Sequence, residues 1–138
     1  MKIAIINGPN LNLLGTRETA VYGEKSFDVF LEELKLAFPH IEFIYVQSNI
    51  EGELIDAIQK CSMVADALIL NPAGYTHTSV AIGDAVAAIS KPVIEVHISN
   101  VFSRESFRHQ SFVSPKAKGT ITGLGIKGYE LAVRFLSE

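Results

Sequence analysis

Two short runs of branched apolar residues, Ile3-Ala4-Ile5-Ile6 and Ala67-Leu68-Ile69-Leu70, carry no polar alternation and stop abruptly at Asn7 and Asn71. A strand with one wet face alternates polar and apolar side chains, whereas an unbroken run is covered on both faces, as central strands of parallel sheets are. Parallel neighbours cannot be joined by a tight turn, so the rest of the chain has to supply crossover helices. The pattern provides them. Ser26 stands as an N-cap before Phe27, Phe30, Leu31, Leu34 and Phe38 at helical spacing, and Pro39 ends that stretch. Leu54, Ile55, Ile58 and Cys61 form a second stripe, and Ser79 to Ser90 is a third helix that is apolar almost all round. Lys127 to Leu136 is predicted as the last helix, with Leu131, Ala132, Phe135 and Leu136 facing inward.

Three weaker strands complete the alternation. Residues 41–47 are broken by Glu42 and suit an edge position, Pro92 to His97 is interrupted by Glu95, and Gly119 to Gly123 is short. Strand followed by helix, five times over, predicts an α/β fold: a flavodoxin-like, doubly wound, five-stranded parallel sheet with helices on both faces. At 138 residues, with 48% hydrophobic and 20% charged residues and no linker-like tract, the chain is expected to be one domain over 1–138.

Charge and cysteine usage exclude several functions. A net charge of -3 gives no basic footprint for a phosphate backbone, so nucleic acid is not an expected partner. No apolar run approaches the roughly 20 residues of a membrane span, which points to a soluble protein that avoids membranes. The single Cys61 cannot form an internal disulfide and sits on an apolar stripe, consistent with a core residue in a reducing, cytoplasmic setting.

In open parallel sheets the ligand site lies beyond the carboxyl ends of the strands. Here those ends carry Asn7, Gln47, Asn71 and His97. They either cap strands and start turns or together line a crevice, and four such ends favour the crevice. Asn71 leads into Pro72-Ala-Gly-Tyr-Thr-His-Thr-Ser79, one wall of the expected site. The glycine-containing segment 8–15 after the first strand fits neither GxGxxG nor GxxxxGK[ST], so a dinucleotide or ATP is not expected. His40, His77, His97 and His109 lack metal-ligand spacing, and neither a metal nor another cofactor is expected. No GxSxG elbow exists, so a serine hydrolase using Ser79 and His77 would need distant parts.

Proton transfer is the chemistry that stands out. Histidine titrates near pH 6.5, and Glu95 shares a strand face with His97 through i, i+2 spacing. Glu95 either orients the imidazole and favours its charged form, or pairs structurally with a lysine or arginine. The segment from Gly8 to Lys25 is long for a loop and is a candidate lid. It contains Arg17 and Tyr22, which are either surface residues or a base whose phenolate is stabilised by a neighbouring guanidinium.

Three stretches carry a family resemblance: INGPNLNLLGTRE at residues 6–18 with VYG at 21–23, LNPAGYTHTSVAIGDA at 70–85, and IEVHISNVFSRESFR at 94–108. In this order they resemble the type II 3-dehydroquinate dehydratases, the dehydroquinases of the shikimate and quinate pathways. The resemblance implies anti elimination of water from 3-dehydroquinate to 3-dehydroshikimate through an enolate. It gives Tyr22 the role of base, with Arg17 lowering its pKa, both on a closing lid. Asn10 would hold a water that stabilises the enolate, and His97 would protonate the departing C1 hydroxyl. Asn71 and the N–H groups of Ile98 and Ser99 would bind the carboxylate, and His77 and Arg108 the ring hydroxyls. Asp84, the one charge within the apolar third helix, would reach the site from a neighbouring subunit of a dodecamer, a tetramer of trimers. No lysine lies at a strand end, so an imine route has no evident nucleophile. A flavodoxin-like, non-catalytic oligomeric module that binds a small carboxylate is the alternative.

Overall fold

The computed structural model describes residues 1–16 and 25–138. Five strands, β1 (Lys2–Asn7), β2 (Glu42–Gln47), β3 (Ala67–Asn71), β4 (Val93–His97) and β5 (Gly119–Thr122), form one sheet in the order β2-β1-β3-β4-β5. Every pairing is parallel, with Asn7 level with both Gln47 and Asn71, and His97 level with Thr122. This is the expected doubly wound sheet, with 41–47 supplying the edge. The strand order reverses between β1 and β3, which is where such sheets open a crevice.

Four helices cover the sheet: α1 (Phe27–Ala37), α2 (Glu51–Val64), α3 (Val80–Ala88) and α4 (Lys127–Ser137). Ser26 and Ser79 cap α1 and α3, their hydroxyls accepting from the N–H groups of Val29 and Ile82. One expectation fails here. Among the described residues the β4–β5 connection contains no α-helix, only short 3-10 turns at Val101–Ser103 and Ser106–His109 followed by irregular chain. The alternation is therefore strand–helix four times, with one non-helical crossover. The polar composition of 98–114 lacks the apolar stripe that would hold a helix on the sheet, and Ile98, Ser99, Val101, Arg104 and Arg108 line a pocket instead.

Period-two alternation divides the core between the faces. Ile3, Ile5, Ile69, Ile94 and Val96 pack with α1 and α4, while Ala4, Ile6, Leu68, Leu70 and Val93 pack with α2 and α3. Cys61 is buried in the second cluster, as its place on the stripe predicts. The first cluster is aromatic: Phe27 stacks on Tyr45 at 4.8 Å between centroids and meets Tyr129 edge-on at 4.9 Å. The inward stripe of α4 differs from expectation. Tyr129, Ala132 and Val133 are buried, whereas Phe135 is more than half exposed. Counting i, i+3, i+4 from Tyr129 gives the observed face; counting from Leu131 rotates it outward. On α3, Ile82, Gly83, Ala85 and Val86 are buried, leaving Val80, Ala81, Asp84, Ala87 and Ala88 on an exposed face. No helix among the described residues is long and apolar enough to cross a membrane.

Candidate active site

At the carboxyl ends of β1, β3 and β4 a pocket opens, lined by Asn10, Asn71, His77, His97, Arg104 and Arg108 among its polar groups, with Ile98, Ser99, Leu11, Leu14 and Ala73 beside them. Two histidines and two arginines line it, and no carboxylate does so among the described residues. An anion is the natural occupant. Among the described residues no group of three or more His, Cys, Asp or Glu could hold a metal ion.

His97 is held from behind by a buried carboxylate. Its Nε2–H donates to Oε2 of Glu95 at 2.7 Å, and Glu95 has no solvent exposure at all. The bond on Nε2 leaves Nδ1 for the pocket side. Glu95 also accepts from Thr76 at 2.5 Å, from Ser111 at 3.3 Å and from Ser114. The Glu95 reading as a partner of lysine or arginine is not what the described residues show; its partners are an imidazole and three hydroxyls. Burial works to raise the Glu95 pKa, but the hydrogen bond and charge of His97, with Ser114 and Thr76, outweigh it and hold the carboxyl below its ordinary range.

Opposite, the His77 ring lies 6.3 Å from that of His97, the two nearly parallel. Its Nδ1–H donates to the Gln110 carbonyl at 2.7 Å, because a carbonyl can only accept, so the neutral ring presents Nε2 as an acceptor. Burial lowers the His77 pKa; the Gln110 carbonyl opposes this, and the neighbouring His97 and Arg108 add to it. His77 is therefore biased toward the neutral form, and His97 differs from it in having a buried carboxylate partner.

Asn71 sits on the other face of the sheet from His97, and its amide is fixed from both ends. Oδ1 accepts from the Ala73 N–H at 3.0 Å and Nδ2 donates to the Tyr129 hydroxyl at 2.8 Å, which in turn donates to Oδ1 of Asn7 at 2.8 Å. One Nδ2–H of Asn71 remains for a ligand. Beyond β4, the carbonyls of His97 and Ile98 accept from the N–H groups of Gly123 and Gly125 at 3.2 and 3.0 Å. Across a trans peptide this turns the N–H groups of Ile98 and Ser99 the opposite way. Both glycines have positive φ, 86° and 64°, which the hydrogen-bonding loop requires.

The crevice is narrower in membership than the strand ends suggested. Asn71 and His97 line it, but Asn7 is fully buried beneath it and Gln47 bonds to the Gly8 carbonyl and to Asn49. Asn10 lines it with left-handed backbone, φ 70°, its N–H donating to Oδ1 of Asn49. Arg108 lines it with its Nε donating to Glu105 at 2.7 Å. Asp84 lies on the exposed face of α3 and is not part of the pocket wall of this chain. Arg17 and Tyr22, in the part of the candidate lid from 17 to 24, lie outside the described residues. Ser79 is almost fully buried with its hydroxyl committed to the helix cap, which leaves no nucleophile for the hydrolase reading. Sequence reasoning missed Arg104 as a lining residue and Thr76, Ser111, Ser114 and Tyr129 as the groups behind the wall. No local signal marks these, since each acts across 15 or more residues of chain.

The geometry has independent counterparts. The model of the family described as dehydroquinase class II matches residues 1–137. A 3-dehydroquinate dehydratase of Campylobacter jejuni is 53% identical over 135 residues, covering 96% of this chain and 85% of the relative. One from Fusobacterium nucleatum is 52% identical over 144 residues, covering 100% and 97%. Among solved structures, the type II dehydroquinase from Butyrivibrio crossotus superposes with a TM-score of 0.95 at 45% identity, covering 100% of this chain and 98% of that one. A sheet opened between β1 and β3, an anion-seeking pocket and a whole-length match at such identity have one common explanation: the chain belongs to the class II dehydroquinase family.

Proposed function

We propose that this chain, as a single catalytic domain, dehydrates 3-dehydroquinate to 3-dehydroshikimate by anti elimination through an enolate, as a hydro-lyase of the shikimate pathway. The observation that carries the reading is the buried Glu95–His97 pair facing a pocket lined by arginines and histidines in a member of this family. In the proposed cycle Tyr22, its phenol acidified by Arg17, removes the C2 proton. Asn10 holds a water against the enolate oxygen, a fixed dipole where charge develops. His97 gives a proton to the C1 hydroxyl as the C–O bond breaks, so water departs and the enone forms. The N–H groups of Ile98 and Ser99, with the remaining Nδ2–H of Asn71, take the substrate carboxylate, while His77 and Arg108 hold ring hydroxyls. The neutral bias of His77 suits hydrogen bonding rather than charge.

Asp84 and the apolar exposed face of α3 suit a subunit contact close to a neighbour's site, and a dodecamer built as a tetramer of trimers is the proposed assembly. The proposed location is the cytoplasm.

The rise in enone absorbance on adding 3-dehydroquinate tests the function. Turnover is expected at nanomolar to micromolar enzyme, and binding without any rise would establish the non-catalytic carboxylate-binding module instead.

A further inference from the structure

We infer that Thr76, Ser111 and Ser114 are positioning residues for the acid step: they form a hydroxyl cage that aims the Glu95 carboxylate at Nε2 of His97, so that the proton between the two resides on the imidazole. The inference rests on the reading of His97 as the acid.

The cage is built from two separate pieces of chain. Thr76 lies in the turn after β3 and is 1% exposed, its Oγ donating to Oε2 of Glu95 at 2.5 Å. Ser114 donates to Oε1, the oxygen away from His97. Ser111 bridges them, 3.2 Å from Thr76 and 3.3 to 3.4 Å from both carboxylate oxygens. Its Oγ accepts from the N–H groups of Val113 and Ser114 at 3.0 and 2.9 Å, so its own proton is left to point at Thr76 or Glu95. The segment that carries the two serines is tied down as a whole. Phe112 N–H donates to the Thr76 carbonyl at 2.9 Å, the Gln110 carbonyl accepts from His77 Nδ1–H, and Gly83 of α3 approaches so closely that an added Cβ would lie 2.3 Å from the Phe112 carbonyl.

The physical need follows from burial. A carboxylate without solvent exposure would take up a proton unless donors stabilise its charge. If Glu95 took the proton, the imidazole would be neutral and could not serve as acid. Three hydroxyl donors supply that stabilisation without a fixed cation. A permanent cation on Glu95 would compete with the imidazolium, whereas hydroxyls leave His97 as the charged partner. The other charged groups on surrounding elements are His77, Arg104 and Arg108 at the pocket, exposed Asp84 on α3, and exposed Lys116 and Lys118 beyond Ser114. They stay unchanged in the test.

The test uses Ser114→Ala and Thr76→Val in the full-length enzyme, with the nitrogen-15 spectrum of the histidines at one fixed pH and steady-state kinetics. Removing a donor from the Glu95 carboxylate moves the shared proton toward Glu95, so either variant is expected to lose a large share of the imidazolium signal of His97 in favour of the neutral ring. kcat then falls about ten-fold, while KM stays within about two-fold, because the binding groups are untouched. Thr76→Ser keeps the hydroxyl and should retain the parental signal and kcat. An unchanged His97 spectrum in both Ser114→Ala and Thr76→Val overturns the cage, as does a Thr76→Ser signal displaced as far as that of Thr76→Val. A displaced signal with a parental kcat overturns His97 as the acid and leaves the cage standing.

Discussion

Tyr129→Phe removes one oxygen from a residue far from the reacting groups, yet it should weaken both fold and binding. Tyr129 is fully buried on α4, its hydroxyl accepting from Asn71 and donating to Asn7, each at 2.8 Å. Phenylalanine keeps the ring and its edge-on contact with Phe27, so no cavity opens and the hydrogen bonds are isolated as the variable. Both partners are buried, Asn7 at 0% and Asn71 at 3% exposure, so water cannot replace the hydroxyl. Asn7 keeps a 3.3 Å donor bond to Tyr45, but that satisfies Nδ2 and leaves Oδ1 bare. Each orphaned buried group costs about 1–3 kcal/mol, and two give about 3 kcal/mol once some relaxation is allowed. For a domain of this size that is a loss of about 10 °C in Tm. Asn71 also loses the contact that fixes its amide, so KM for 3-dehydroquinate should rise about ten-fold, or about 1.4 kcal/mol, with kcat within about two-fold. Circular dichroism melts and steady-state kinetics read both effects. A Tm within about 2 °C of the parent together with an unchanged KM would refute this account of Asn71.

Acid stability should fall in two stages. The His77 pKa is held low in the fold, so its contribution is complete above about pH 6.5 and is lost as pH falls through the lower folded value. The Glu95 carboxyl is also held low, so its contribution is complete above about pH 4.3 and is lost below it. Urea midpoints that rose between about pH 7 and pH 5 would contradict this. Gly83→Ala places a Cβ 2.3 Å from a backbone carbonyl and should cost about 1–3 kcal/mol while displacing the serine segment, read as a lower Tm with a lower kcat; parental values for both would show that the segment can shift freely. Ser79→Ala removes the α3 cap and should cost about 1 kcal/mol with kcat retained, whereas abolished turnover would return Ser79 to the chemistry.

The fold was legible because its strongest elements agree locally and globally. The unbroken runs in β1 and β3, the capped stripe of α1 and the edge character of β2 each obey one periodicity. The missing crossover helix was not legible, because 98–118 takes its shape from bonds to distant partners: Phe112 to Thr76, Lys118 to Val93, Ser111 and Ser114 to Glu95. The site divides the same way. Residues i and i+2 on one strand share a face, so Glu95 beside His97 follows from local strand geometry. Tyr129 reaches Asn7 across 122 residues and could not be read from spacing. On α4 the apolar count alone chose Leu131 and Phe135 over the true face, because tyrosine was not counted as core.

The sheet itself separates the groups proposed for binding from those proposed for proton transfer. Asn7 and Asn71 end strands whose odd-numbered residues face α1 and α4, so their amides meet Tyr129 in the aromatic layer. On β4 the odd-numbered residues face α2 and α3, so Val93, Glu95 and His97 meet the opposite layer and the serine segment. The phase change between neighbouring strands puts Asn71, proposed to position substrate, and His97, proposed to transfer a proton, on opposite sides of one crevice, each backed by its own layer. Register fixes this: Leu70 pairs with Glu95, and a slip by one residue would turn Glu95 into the aromatic cluster and send Ile94 and Val96 to the cage. A buried carboxylate against Phe and Tyr rings without its hydroxyls would be far costlier than the native arrangement. The groups proposed for chemistry thus also select the register of β4.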